Sequence, residues 1–147
     1  MQCVRPTSRA LSGAISTLTL AALASAQSSP FAVSSTNVRN NKNGLLFYGV
    51  NGRAALPYQS GTLCVKTSIK RTPSTNSGGT PAPVNDCSGV FPIDMNAFAV
   101  GLLGGSPLPA LQVPGTVVDT QWWGRDPGFS PPNNTTLSDG LEYTVCP

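Results

Sequence analysis

Thr116 to Pro127, Thr-Val-Val-Asp-Thr-Gln-Trp-Trp-Gly-Arg-Asp-Pro, constrains the fold of this chain more than any other stretch. It holds both tryptophans, an extended pattern, and a sharp stop at Asp126-Pro127. In a strand, successive side chains point to opposite faces. Val118, Thr120, Trp122 and Gly124 then share one face, and Asp119, Gln121, Trp123 and Arg125 share the other. The first set suits a core. The second predicts a wetter surface carrying one indole.

The rest of the chain supplies short partners for that strand. Leu45 to Val50 is aliphatic and aromatic, and Asn51-Gly52 is a hairpin-type turn leading to a returning strand over Arg53 to Tyr58. Pro57 limits that strand to an edge or an end. Ser60-Gly61 turns the chain into Thr62 to Arg71, which carries Cys64. Thr72 to Gly89 is a long polar connection of the kind that is often mobile or functional. Val90 to Met95 is a strand with Phe91, Ile93 and Met95 inward, and Asn96 to Leu103 extends it or makes one helical turn. Leu141 to Cys146 is the last strand. Charged residues are only 10% of the chain, and Gly and Pro number 15 and 14, which fits a disordered linker or a turn-rich all-β domain. Short apolar runs bounded by Gly, Pro and Asn favour the second. The expected fold is a small antiparallel β-sandwich, immunoglobulin/fibronectin-like or jelly-roll-like, of about six to eight strands.

Arg5 and Arg9 precede an apolar, small-residue run from Ala10 to Ala24, and Ala24-Ser25-Ala26 forms an A-x-A cleavage site. Residues 1–26 therefore read as a signal peptide, 27–43 as a flexible polar lead with at most an edge strand around Phe31 to Ser35, and 44–147 as one domain. The expected location is extracellular or at the cell surface, with no membrane span in the mature chain. Without Arg5 and Arg9, seven basic residues face six acidic ones, so no basic face marks a nucleic-acid partner.

Export places Cys64, Cys87 and Cys146 in an oxidising compartment. Strand parity puts Cys64 and Cys146 on the faces opposite their apolar neighbours, so two adjacent strands could set them across from each other. Cys64–Cys146 is the favoured bridge and Cys64–Cys87 the second choice.

Several segments together carry a resemblance: Gly-Leu-Leu-Phe-Tyr-Gly at 44–49, Leu-Cys-Val-Lys at 63–66, Arg-Thr-Pro at 71–73, Asn-Ser-Gly-Gly-Thr-Pro at 76–81, Trp-Gly-Arg-Asp-Pro at 123–127 and the closing run from Leu137 to Pro147. Over about residues 44 to 147 the chain resembles a C-terminal module of secreted bacterial proteins of the planctomycete type. The resemblance implies an extracellular setting but no activity or ligand. Gly124 stands where that pattern commonly has an aromatic residue.

The chain has no histidine, which excludes imidazole-based triads and imidazole metal sites. Its cysteines are too far apart in sequence for a thiolate metal motif, and no cofactor or metal is expected. The carboxylates are Asp86, Asp94, Asp119, Asp126, Asp139 and Glu142, with no spacing that marks a catalytic pair or a calcium loop. Trp123 and Arg125, two apart on one strand face, form the best candidate. Their plain reading is a cation–π pair. Their functional reading is a sugar platform, with Asp119, Gln121 and Arg125 as hydrogen-bonding groups and Tyr48 and Tyr58 as extensions. The overall expectation is a non-catalytic module, structural or adhesive, that holds a cell-surface or matrix protein or polysaccharide. Carbohydrate binding is the alternative.

Overall fold

A computed structural model describes residues 30–59 and 61–147. The expected signal peptide and the start of the polar lead lie outside them. Among the described residues nine strands form antiparallel sheets: β1 Ala32–Val38, β2 Asn43–Gly49, β3 Arg53–Tyr58, β4 Gly61–Val65, β5 Lys70–Arg71, β6 Thr75–Asn76, β7 Gly89–Asp94, β8 Val117–Arg125 and β9 Thr135–Thr144. One short helix, α1 Met95–Ala99, follows β7, and a 3-10 turn spans Pro109–Gln112. The fold is all-β and sandwich-like, as the turn-rich sequence predicts. Among the described residues, no helix is long and apolar enough to cross a membrane.

The expected Trp strand is β8, and it lies in the middle of the main sheet. Strand order is β5-β2-β8-β9, with β6 also pairing β2. Alternation along β8 and β2 gives the sheet two apolar faces. Leu46, Tyr48, Val118 and Trp122 join Phe31 and Val33 of the β1 end, Phe91 of β7, and Met95 and Phe98 of α1 in the larger core. Phe47 joins Leu63 and Val65 of β4 and Leu137 of β9 in a smaller core on the opposite face, where Trp123 packs at its edge. The β1–β7 pair therefore covers one face and the β3–β4 pair the other.

Glycine sets the closest approach in the larger core. Gly44 and Gly124 lie opposite each other in the β2–β8 register. A Cβ on Gly44 would stand 2.5 Å from the Phe91 ring and 2.6 Å from the Trp123 carbonyl oxygen; one on Gly124 would stand 2.8 Å from the same ring. Phe91 fills the space both residues leave and stacks on Trp122, with ring centroids 5.4 Å apart. Gly124 thus leaves room for the aromatic ring that β7 delivers from across the core.

Two expectations change. The polar lead ends sooner than residue 43, and the alternative of an edge strand around Phe31 to Ser35 is what forms: β1 begins at Ala32, and Phe31, Val33 and Val38 are all buried. Asn51-Gly52 does not close a hairpin. β2 pairs with β5, β6 and β8, and β3 pairs with β4, so this turn carries the chain out of the main sheet into the covering layer. The hairpin sits one turn later, with Tyr58 paired to Gly61. The reason is competition for β2: its edges are taken by β8 and by the returning segments at Lys70–Arg71 and Thr75–Asn76.

The long connection over residues 72–89 is tied down by a turn that precedes β2. The Asn40 side-chain amide donates to the carbonyls of Thr80 at 2.6 Å and Val84 at 2.8 Å, and its side-chain oxygen accepts the Asp86 N–H. Asn41 adds a second donor to Thr80. A buried amide with partners for both its donor and its acceptor groups costs little and orders what surrounds it. At the other end of β7, Asp94 caps α1 by accepting from the N–H groups of Asn96 and Ala97, and it also accepts from Phe31 N.

Candidate functional site

The polar side of β8 is closed over. Gln121 is 1% exposed and Asp119 is 4% exposed, because β3 and β4 lie across them. The Gln121 amide oxygen accepts the Cys64 N–H at 2.9 Å, and its nitrogen donates to the carbonyls of Thr62 at 2.9 Å and Ser138 at 2.8 Å. One side chain in the sheet thus serves as a strand partner for the middle of β4. Ser138 belongs to a bulge at which Ser138 and Asp139 of β9 lie opposite Trp122 alone.

The six expected platform residues do not come together. Tyr48 has no exposed surface and lies on the opposite face of the sheet, where its hydroxyl accepts the Leu108 N–H at 3.1 Å. Gln121 and Asp119 lie under the β3–β4 layer. Tyr58 sits in that layer, edge-on to Phe47 at 6.5 Å between ring centroids. Trp123 is partly buried against the smaller core, with the Arg125 guanidinium 5.9 Å from its ring centroid. The cation–π pair forms, but the broad aromatic surface does not, because parity settles only which face a residue takes. A second layer then covers that face.

The favoured bridge is also corrected. Cys64 and Cys146 are both free thiols, which excludes the Cys64–Cys87 alternative as well. Cys64 lies over Gly140 in the middle of β9: a Cβ on Gly140 would stand 2.8 Å from the Cys64 Cβ. Cys146 is six residues further along, roughly 20 Å at the rise of a strand. A disulfide needs Cα atoms within about 7 Å. Burial pushes the Cys64 thiol above its ordinary value, with the nearby Asp139 carboxylate adding to the rise.

The densest charged cluster joins Asp119, Glu142 and Arg53. Asp119 and Glu142 are direct partners in the β8–β9 register. Arg53, at the start of β3, grips Glu142 with both arms of its guanidinium, Nε–Oε2 at 2.7 Å and Nη2–Oε1 at 2.6 Å. Burial and the adjacent Glu142 raise the Asp119 carboxyl above its ordinary range. The hydrogen bonds from Arg53 hold Glu142 below its own. Sequence parity could have paired Glu142 with Asp119, since both lie on the non-apolar faces of their strands. Arg53 could not be found that way, because it arrives from another layer.

Among the described residues no group of three or more His, Cys, Asp and Glu side chains is placed to hold a metal ion. Asp126 accepts the Gly128 N–H, Asp86 accepts from Ser88, and Asp139 lies within β9 rather than in a loop. The large apolar side chains left in water include a group around the C-terminal end of α1 and the 3-10 turn. Leu102 is 78% exposed, and Val100, Leu103 and Val113 are exposed with it. Gly101, at φ 84°, closes α1: its N–H bonds to the Phe98 carbonyl and the Leu102 N–H to the Ala97 carbonyl. This arrangement needs a left-handed residue that glycine adopts without strain. Gln112 donates to the Ala99 carbonyl at 3.0 Å and ties the 3-10 turn to the same end.

No protein-family model matches the chain, and neither a curated protein nor a solved structure matches it.

Proposed function

We propose that this protein is a secreted, non-catalytic extracellular module that works by contact, as a structural or adhesive element at the cell surface or matrix. The observation that carries the proposal is the set of exposed apolar residues Val100, Leu102, Leu103 and Val113, held by hydrogen-bonded turns beyond α1 and left in water. Large apolar side chains grouped in water near one helix end are a common mark of a protein contact. Gln121 of β8 meanwhile spends its amide on partners inside the fold, and Asp119 is buried. Export rests on Arg5, Arg9, the run from Ala10 to Ala24 and the Ala24-Ser25-Ala26 site. The likeness to the planctomycete-type secreted module agrees with that setting.

The test is binding of the purified protein to immobilised cell-envelope and matrix proteins. Saturable binding that is lost in Leu102→Ser with Leu103→Ser, and kept in Trp123→Ala, is the expected result. A glycan-array signal that disappears with Trp123→Ala would move the reading to carbohydrate binding through Trp123 and Arg125. Polysaccharide hydrolysis abolished by Asp119→Asn would overturn the non-catalytic reading.

A further inference from the structure

We infer that Asp119 and Glu142 share one proton, and that this shared proton, with Arg53, latches the β3–β4 layer to the central sheet in acid and loosens it as the proton leaves. The geometry begins with the register. Asp119 and Glu142 face each other across neighbouring strands, and Glu142 is already committed to Arg53 of the covering layer. Asp119 Oδ2 is buried and receives no N–H or O–H from any neighbour. A buried carboxylate with no donor is costly, whereas a carboxylic acid beside a carboxylate supplies its own hydrogen bond.

The surroundings agree. Opposite Asp119 on β2 is Gly49, which brings no side chain. What lies over Gly49 is the Val65 methyl group and the carbonyl oxygens of Lys66 and Ser68, all acceptors or apolar. The charged groups acting on Asp119 are Glu142 from β9, which favours the protonated form, and Arg53 from β3, which opposes it more weakly. When the proton is lost, one guanidinium must serve two adjacent carboxylates. Like charges at this separation cannot both be held cheaply. The larger cost is that of a charged carboxylate buried under the β3–β4 layer, and it is relieved when that layer lifts and admits water.

The sign follows from linkage. The folded state keeps a proton on Asp119 that the unfolded chain loses near pH 3.8. Stability therefore falls as pH rises from there through the raised folded value. Glu142 acts in the opposite sense only at or below its ordinary 4.5, so measurements above that value leave its pair with Arg53 intact.

The experiment follows amide exchange of β3 and β4, corrected for intrinsic rates, from just above pH 4.5 to neutrality. Protection of Lys66 and Cys64 should fall as pH rises, by up to about tenfold per unit by which Asp119 is raised. Asp119→Asn should remove the larger part of that fall. Asp139, also raised by burial, contributes separately, and Asp139→Asn should leave the Asp119 share in place. A wild type without pH dependence, or Asp119→Asn with the full wild-type dependence, overturns the inference. If Asp119→Asn does not fold, carboxyl-carbon NMR of the wild type decides. Titration of Asp119 above 3.8, with a chemical-shift response at Glu142 at the same midpoint, supports the latch, and titration at or below 3.8 overturns it.

Discussion

The side chain of Gln121, in the centre of β8, accepts the backbone N–H of Cys64 in β4 at 2.9 Å and so takes the place of a neighbouring strand. Its amide also donates to Thr62 and Ser138. Gln121→Leu keeps the volume and leaves three backbone groups without this partner. Each buried group so orphaned costs about 1–3 kcal/mol, less where water enters. The expected loss is about 3 kcal/mol by denaturant unfolding, with the earliest rise in exchange at Thr62 to Val65. A loss below about 0.5 kcal/mol would show that these bonds are readily replaced.

Gly44→Ala and Gly124→Ala place a methyl group against the Phe91 ring. Overpacking of a filled core costs about 1–3 kcal/mol. Gly44 should be the more sensitive position, because its second obstacle is the Trp123 backbone carbonyl, which cannot rotate away. Phe91→Leu combined with Gly124→Ala should recover part of the loss of Gly124→Ala alone. Strict additivity of the two changes would refute the claim that Phe91 fills the space above Gly124.

Tyr48→Phe removes the acceptor of the Leu108 N–H without changing the packing of the ring. A loss of about 1–2 kcal/mol is expected in thermal or denaturant unfolding. The same burial raises the Tyr48 and Tyr143 phenols above their ordinary 10.0. A raised folded pKa means that stability is intact below pH 10 and falls as pH climbs toward the folded values. Ultraviolet difference titration should show these two rings ionising late or together with unfolding. Ionisation of both at the ordinary value in the folded protein would contradict their burial.

Peptide mapping without reductant should find no Cys64–Cys146 cross-link, because Cys64 lies at Gly140 and not at the end of β9. Cys64 should also alkylate more slowly in the native protein than in denaturant, since burial disfavours its thiolate. Recovery of the joined peptides from native protein would place the two strands differently.

Much of the architecture was legible before any coordinates. Alternation alone assigned Val118 and Trp122 to a core, and both pack into the larger one. The same parity put Asp119, Gln121 and Trp123 on the other face, which is where they lie. It could not reveal that this face is itself covered, because β4 approaches through a side-chain hydrogen bond that leaves no periodic trace. The platform reading failed at Tyr48 for a related reason: proximity in the sheet does not imply the same side of it.

The sequence by itself determined the strand-rich class, the central place of β8 and the two-sided sorting of its residues. These follow from local rules of turn chemistry and alternation, which act over a few residues. The tertiary structure alone decided that Phe91 would fill the space over Gly44 and Gly124, that Arg53 would reach Glu142, and that Cys64 would lie far from Cys146. Those outcomes depend on which layer packs against which face, a choice settled by long-range burial and the competition for sheet edges.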